Sequence, residues 1–413
     1  MRIGLPRSAQ RPFSWAPRTG LGEPQPNRFR HQTYSAAAPM ADWQALAAPA
    51  LPAPGTREFN RRMRSVGDAL WAADVAAVYL VHGTFAGFDA LGILNELARR
   101  YPAGRDSIGR IVKRMVDALA ADAGNYTARY AENFEESIRT SGAPIAVRLF
   151  HWSGENHHLG RADAAVRLID ELASLELPPR RRVLLWGHSH AGNVFALMSN
   201  LLAGDRQALE WFFAAASVFY RVPLAGLVDI PVWQRVGRLL AGDACSLAGR
   251  PIDMVTFGTP IRYGWDRRGH DGLLHFVHHR PQPDLPAHRA SFPPSVDDVL
   301  HATGGDYVQQ IGIAGTNAAP SVLAWRAFAA DRKLNTLLQP GLSCADLVER
   351  LRLGMRVHEA GTTLLVDYGP PAGGVAQHLA GHAVYTRHEW LLFHAEEVVR
   401  RFYASAAGAA GAA

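Results

Sequence analysis

Short apolar runs alternate with amphipathic stretches along most of the chain. The runs that predict strands lie at 75–83, 144–152, 183–186, 251–260, 272–280 and 361–369. The stretches with helical spacing lie at 57–72, 88–100, 111–139, 162–175 and in a closing helix that carries Leu391, Ala395, Val398 and Phe402 on one face. Continuous apolar runs are typical of strands that are buried on both faces of a parallel sheet. The alternation therefore predicts an α/β fold with a doubly wound, mostly parallel sheet.

Two long segments interrupt this alternation. Helical stretches fill 205–250, and proline-rich loops and helices fill 281–360. We expect both to be insertions in a single catalytic domain over 57–403, where they form a cap that narrows the site; for 205–250 surface helices are the alternative. Residues 1–56, rich in proline, arginine, alanine and glycine, are predicted to be a disordered leader in which Met40 is a second candidate start, and 404–413 a disordered tail.

The segment RRVLLWGHSHAGNVFALMS at 181–199 changes abruptly from strand to helix. The apolar run at 183–186 ends at Gly187, and helical spacing begins after Gly192, so Ser189 lies at the apex of the turn. Such a reversal forces the apex residue into a strained backbone conformation and requires small neighbours. Ala191 stands where the G-x-S-x-G pattern has its second glycine. The pattern identifies Ser189 as a candidate nucleophile.

The run GHSHAG at 187–192 resembles the nucleophile elbow of the α/β-hydrolase superfamily, in the GHSxGG form of its lipases and esterases. The run HGTFAG at 82–87, at the end of a predicted strand, is similar to the oxyanion segment of lipases. The resemblance implies a serine hydrolase in which Ser189 attacks an acyl carbonyl. It also implies that the N–H groups of Thr84 and His190 hold the oxyanion.

Acyl transfer by a serine requires a base, which the resemblance places after the last strand. Three of the histidines that follow that strand are candidates: His378, His382 and His388. We favour His382, because it comes just before the closing helix. His388 is predicted to lie within that helix, and His378 lies in a loose segment of glycine and proline.

The acid that orients the base is the least defined member of the set. In the superfamily it follows the strand before the last, here 272–280, but Pro281 occupies the nearest position. Asp306, in GGDYVQQIGIAG, resembles a turn that presents the acid and is our first choice. Asp266 and Asp284 remain as alternatives.

Composition excludes several other classes of function. The formal net charge is +6, but the arginines are scattered, which argues against a nucleic-acid partner. Cys245 and Cys344 are too few for a disulfide framework. The histidine-rich tracts lack carboxylates or cysteines at ligand spacing, so we expect no metal; these tracts are His157 with His158, and His275 with His278 and His279. No stretch is long and apolar enough to be a transmembrane segment, and we expect a cytoplasmic protein.

The sequence thus predicts a serine hydrolase that needs no cofactor and acts on a small-molecule or lipid-like acyl substrate, most simply a carboxylic ester. Ser189, Asp306 and His382 would form its triad. Two alternatives stay open. One is a thioester or amide hydrolase, and the other is a catalytically silent hydrolase-like protein that serves as a binding or scaffold module.

Overall fold

In the residues that it describes, the computed structural model is an α/β structure built on one sheet of seven parallel strands. It describes residues 28–31, 39–84, 125–140, 142, 144–178, 180–221, 230–242, 247, 249–292, 298, 301–313, 317, 320, 324–339, 344–371 and 378–404. The strands are β1 Trp43–Ala47, β2 Val75–Val81, β3 Ala146–Phe150, β4 Arg182–His188, β5 Ile252–Phe257, β6 Gly272–His278 and β7 Thr362–Asp367. Their order across the sheet is β1-β7-β6-β5-β4-β2-β3. The prediction of an α/β fold with a parallel sheet is confirmed.

Helices cover both faces of this sheet. Within the described residues they are α1 Arg57–Ala72, α2 Ala128–Ser137, α3 His158–Ala173, α4 Ala191–Leu202, α5 Arg206–Tyr220, α6 Pro231–Ala241, α7 Tyr307–Ile313, α8 Trp325–Leu338, α9 Cys344–Leu353 and α10 Leu391–Val398. Tyr79 and Val81 of β2 belong to the same buried core as residues of α3 to α6 and α8, whereas Val78 and Leu80 belong to the core with α1, α2 and α10. Alternate residues of one strand thus enter two cores, which explains the continuous apolar runs.

The leader is not disordered throughout, and the prediction for 1–56 is wrong where the structure describes it. Trp43–Ala47 forms strand β1 at the edge of the sheet, parallel to β7. Further upstream, Phe29 is buried, and Arg30 forms an isolated bridge with Tyr263. Three of the five residues of β1 are exposed, so its backbone pairing leaves no apolar pattern in the sequence.

The helices of the 205–250 segment pack onto the body of the domain. Phe212 and Phe213 of α5 and Trp233 of α6 are buried together in the core on the α3 side of the sheet. The predicted helix at 88–100, the first part of that at 111–139, and Cys245 lie outside the described residues. In the part of the chain that is described, no helix has both the length and the apolar character needed to cross a bilayer.

Candidate active site

The order of the strands locates a crevice at the carboxyl ends of β2 and β4. The chain passes from β2 to β3 on one side, then returns to place β4 on the other side of β2. Such a switch point separates the connections that follow the two strands and is where open α/β sheets bind ligands. Gly83 and Thr84 follow β2, and Ser189 follows β4. Two segments singled out from the sequence therefore meet at this crevice.

Ser189 has a left-handed backbone conformation, with φ of +56°. Its N–H donates to the Phe257 carbonyl oxygen at 2.7 Å, and its own carbonyl oxygen accepts from Thr259 Oγ1 at 2.7 Å. A non-glycine residue in this region is strained by about 1–2 kcal/mol, and such strain concentrates at functional sites. The two hydrogen bonds hold the strained residue at the end of β4.

Small residues make the turn around Ser189 sterically feasible. A Cβ added to Gly83 would lie 2.6 Å from Ser189 Cβ, and one added to Gly192 would lie 2.1 Å from Thr259 Oγ1. A Cβ added to Gly187 would lie 3.0 Å from that of Ala191. The glycine at 187 therefore leaves room for Ala191, where the sequence departs from the G-x-S-x-G pattern.

The structure brings His382 and Asp306 together. His382 begins a 3-10 turn, His382–Thr386, in the connection between β7 and α10. Its Nδ1 atom lies 2.7 Å from Asp306 Oδ2. Asp306 is held at the carboxyl end of β6, because its N–H donates to the His278 carbonyl oxygen at 3.0 Å. Asp306 thus follows β6 in space, although a long insertion separates it from β6 in the sequence.

Asp306 is fully buried and accepts three hydrogen bonds through its side chain. Besides His382, Tyr385 Oη donates to Oδ2 at 2.9 Å, and the Gln309 N–H donates to Oδ1 at 2.8 Å. Burial alone would raise the pKa of Asp306, but the neighbouring His382, its hydrogen bond and the Gln309 amide outweigh burial and lower that pKa below its ordinary value. The ionised carboxylate accepts from Nδ1–H and leaves Nε2 of His382 to exchange protons.

For the ester hydrolysis that the sequence predicts, we expect Tyr385→Phe to lower kcat/KM about tenfold, because a hydrogen bond to a charged group contributes about 1.5–3 kcal/mol. Steady-state kinetics of the purified variant would measure it. Tyr368→Phe is a matched control, since Tyr368 Oη bonds His394 Nε2 at 2.7 Å instead of Asp306. Equal losses of rate in the two variants would contradict a specific effect of Tyr385 on the carboxylate.

His188, the last residue of β4, braces His382. Its ring packs on that of His382 with centroids 4.5 Å apart, and its Nε2 donates to the His382 carbonyl oxygen at 3.2 Å. A carbonyl oxygen only accepts, so Nε2 of His188 carries the hydrogen. This contact places His382 against the residue that immediately precedes Ser189.

The two proposed oxyanion donors lie on either side of the crevice. His190 is the N-cap of α4, where N–H groups have no intrahelical acceptor. His82 Nδ1 donates to the Gly83 carbonyl oxygen at 2.8 Å, and Trp152 Nε1 donates to the His82 carbonyl oxygen at 2.8 Å. In a trans peptide the C=O and N–H point in opposite directions, so the bond to Gly83 also fixes the Thr84 N–H.

The side-chain hydroxyl of Thr84 is a second feature of this position. Thr84 Oγ1 is buried and has no hydrogen-bond partner among the described residues. A buried polar atom without a partner is destabilising, and it requires an explanation such as a ligand group that arrives later. The rest of HGTFAG, residues 85–87, lies outside the described residues.

The alternative acids and bases have other surroundings. Asp266 bonds Arg28 at 3.0 Å and Arg268 at 2.9 Å, and Asp284 lies in a turn after β6. His378 Nδ1 accepts from the Gly381 N–H at 3.3 Å. His388 begins a 3-10 turn, His388–Trp390, and therefore precedes the closing helix, in which it was predicted to lie.

The histidine-rich tracts take part in hydrogen bonds and packing. His157 caps α3 by accepting from the Gly160 N–H at 2.9 Å, and His158 Nδ1 lies 2.6 Å from Tyr263 Oη. His275 stacks on His358 with centroids 3.8 Å apart. Among the described residues, no group of three or more His, Cys, Asp or Glu side chains is arranged to hold a metal ion.

Sequence reasoning missed Tyr385, His188 as a brace, and the Gln309 amide. Only spacing could have suggested the first two, since Tyr385 comes one helical turn after His382 and His188 directly precedes Ser189. Buried Arg356 was also missed. It donates to Gln309 Oε1 at 2.8 Å and to the Asp306 carbonyl oxygen, and so ties the backbone of the acid to its surroundings.

Comparisons of the chain with protein-family models, with curated proteins and with solved structures find no match. No relative therefore suggests a substrate or a reaction. The function has to be inferred from the geometry of Ser189, His382 and Asp306 and from the chemistry that these groups can perform.

Proposed function

We propose that the protein is a serine hydrolase of the α/β-hydrolase type that hydrolyses carboxylic esters. The observation that carries the proposal is the 2.7 Å bond between His382 and buried Asp306. This pair lies at the carboxyl ends of the strands, as does the strained Ser189. A nucleophile on a strand-to-helix turn, a histidine after the last strand and an acid that bonds its Nδ1 are the parts required for acyl transfer by serine.

In the proposed reaction, His382 Nε2 takes the proton of Ser189 as Oγ attacks the ester carbonyl carbon. The N–H groups of Thr84 and His190 hold the oxyanion of the tetrahedral intermediate. His382 then gives its proton to the leaving alkoxide, and an acyl-enzyme remains on Ser189. Water attacks this acyl group with His382 again as base, which releases the carboxylic acid and restores the serine.

We assign the shaping of the site to the 281–360 insertion. This insertion carries Asp306 and α7, whereas the helices of 205–250 pack on the α3 side of the sheet. An insertion that supplies the acid would also form walls of the site next to the reacting groups. The 281–360 insertion alone would then serve as the cap that the sequence suggested for both segments.

Labelling with a fluorophosphonate probe tests the proposal, because the probe reacts with activated serines. We expect wild-type protein to be labelled and Ser189→Ala to lose the label completely. Ser217→Ala is a matched control, since Ser217 lies on α5 and its hydroxyl donates to the Ala214 carbonyl oxygen. Its labelling should equal that of the wild type.

Folded wild-type protein that takes no label would contradict the proposal and favour a binding or scaffold module. Label that survives in Ser189→Ala would place the reactive group elsewhere. With the label mapped to Ser189, rates on matched esters, thioesters and amides of one acyl group would identify the bond that is cleaved. The ester should react with the highest kcat/KM among bonds of comparable leaving group.

A further inference from the structure

Three consecutive residues before His382 have left-handed backbone conformations. Their φ angles are +46° at Leu379, +51° at Ala380 and +87° at Gly381. Gly381 has a steric reason for its identity, because an added Cβ would lie 2.4 Å from the Gly305 carbonyl oxygen. Leu379 and Ala380 carry the strain that L-residues have in this region.

The Leu379 carbonyl oxygen accepts from the His382 N–H at 3.1 Å, but the Leu379 side chain packs too little to offset the strain. Its side chain remains 39% exposed, so much of its apolar surface faces solvent. A glycine at this position would adopt the same backbone without the steric penalty. A strained residue that holds an apolar side chain in solvent points to a role outside the fold itself.

Two more exposed apolar side chains lie on the neighbouring segment. Val308 is 40% exposed and Ile311 is 42% exposed, and their spacing places them on one face of α7. The segments are joined, because the Tyr307 N–H donates to the Ala380 carbonyl oxygen at 3.1 Å. One segment carries Asp306 and the other leads directly into His382. Val308 is thus two residues from Asp306, and Leu379 is three residues from His382.

We propose that Leu379, Val308 and Ile311 form an apolar rim that binds the hydrocarbon part of the ester substrate. This inference rests on the proposed function. The occupant follows from position, because the rim adjoins the residues that would handle the reacting bond, and it carries no charged or hydrogen-bonding side chain. Each methylene that the rim removes from water should raise kcat/KM about fourfold.

Two substrate series test the rim and identify which end of the ester it binds. The first is p-nitrophenyl acetate through p-nitrophenyl octanoate, which lengthens the acyl chain. The second is methyl acetate through octyl acetate, which lengthens the alcohol. We expect wild-type kcat/KM to rise along one series. The ratio of longest to shortest substrate in that series should fall at least tenfold in Leu379→Gly and in Ile311→Ser.

Trp71→Ser is the matched control. Trp71 is 48% exposed, but it lies at the end of α1, next to the amino end of β2 and so at the opposite edge of the sheet. Its chain-length ratio should equal that of the wild type. Leu379→Gly should also unfold at a higher temperature than wild type, because the glycine relieves the strain, so unfolding cannot explain its lost preference.

Four results would overturn the inference. If the wild type hydrolyses acetate esters but its kcat/KM does not rise with the length of either chain, the rim is ruled out and the proposed hydrolase is not. An unchanged ratio in both rim variants has the same consequence, as has a lower unfolding temperature of Leu379→Gly. Failure to hydrolyse any ester, together with no label on Ser189, overturns the proposed function and the rim with it.

Discussion

Under the proposed mechanism, replacing Asp306 with asparagine is expected to lower kcat for an ester by about 10⁴-fold, the scale of the same change in known Ser-His-Asp enzymes. The carboxylate lies 2.7 Å from His382 Nδ1 and can only accept from it. An asparagine amide can instead donate to Nδ1, which favours the imidazole tautomer that carries its hydrogen on Nε2. His382 could then no longer take the proton of Ser189, although the shape of the site would be preserved.

Single-turnover and steady-state rates of Asp306→Asn would measure this loss, with circular dichroism to confirm the fold. Asp266→Asn is the matched control. Asp266 is also a buried carboxylate, but it bonds Arg28 and Arg268 and has no bond to His382 among the described contacts. We expect its substitution to reduce stability and to leave kcat within about threefold of the wild type. A rate for Asp306→Asn within tenfold of the wild type would remove Asp306 from the mechanism.

The sequence predicted the central strands because burial on both faces leaves a strong pattern. Every residue of β4 after Arg182 is buried, and 183–186 is a continuous apolar run. Every residue of β5 is buried as well, and four of its six residues are apolar. Strand β1 left no such pattern. It is stabilised by backbone pairing with β7 at the sheet edge, and backbone pairing does not require particular side chains.

The same reasoning explains which parts of the site could be located. Ser189 and Thr84 come shortly after predicted strands, so the local pattern alone places both at the carboxyl ends of the strands. Asp306 could only be proposed. Its place depends on contacts between distant residues, such as the Asp306 N–H to the His278 carbonyl oxygen and the Arg356 side chain to the Gly304 carbonyl oxygen. No local pattern encodes contacts of this kind.

The second large expected effect is a loss of stability at low pH, because many histidines are buried in this fold. Burial is the largest cause that lowers their pKa. The pKa falls to about 3 for His31, His279, His358 and His394, and to about 4 for His278. These side chains stay neutral in the folded protein at pH values where an ordinary histidine, with a pKa near 6.5, is protonated.

The direction of the pH effect follows from proton uptake. Between pH 6.5 and about 4 the unfolded chain binds protons at these histidines and the folded protein does not, so stability falls as the pH falls. Each histidine contributes about 1.4 kcal/mol per pH unit, or about 7 kcal/mol for the five at pH 5.5. The lowered pKa of Asp306 adds a loss only below about pH 4.

We therefore expect the free energy of unfolding to fall by several kcal/mol between pH 7.5 and 5.5, which is comparable to the whole stability of a typical domain. Urea titrations at half-unit steps of pH would measure it. His394→Gln is an informative variant, since glutamine keeps a hydrogen-bonding partner for Tyr368 but does not titrate. In this variant, the free energy of unfolding should fall less steeply with falling pH, by the amount that corresponds to the uptake of about one proton fewer on unfolding. A stability that stays constant from pH 7.5 to 5.5 would show that water reaches these histidines in the folded protein.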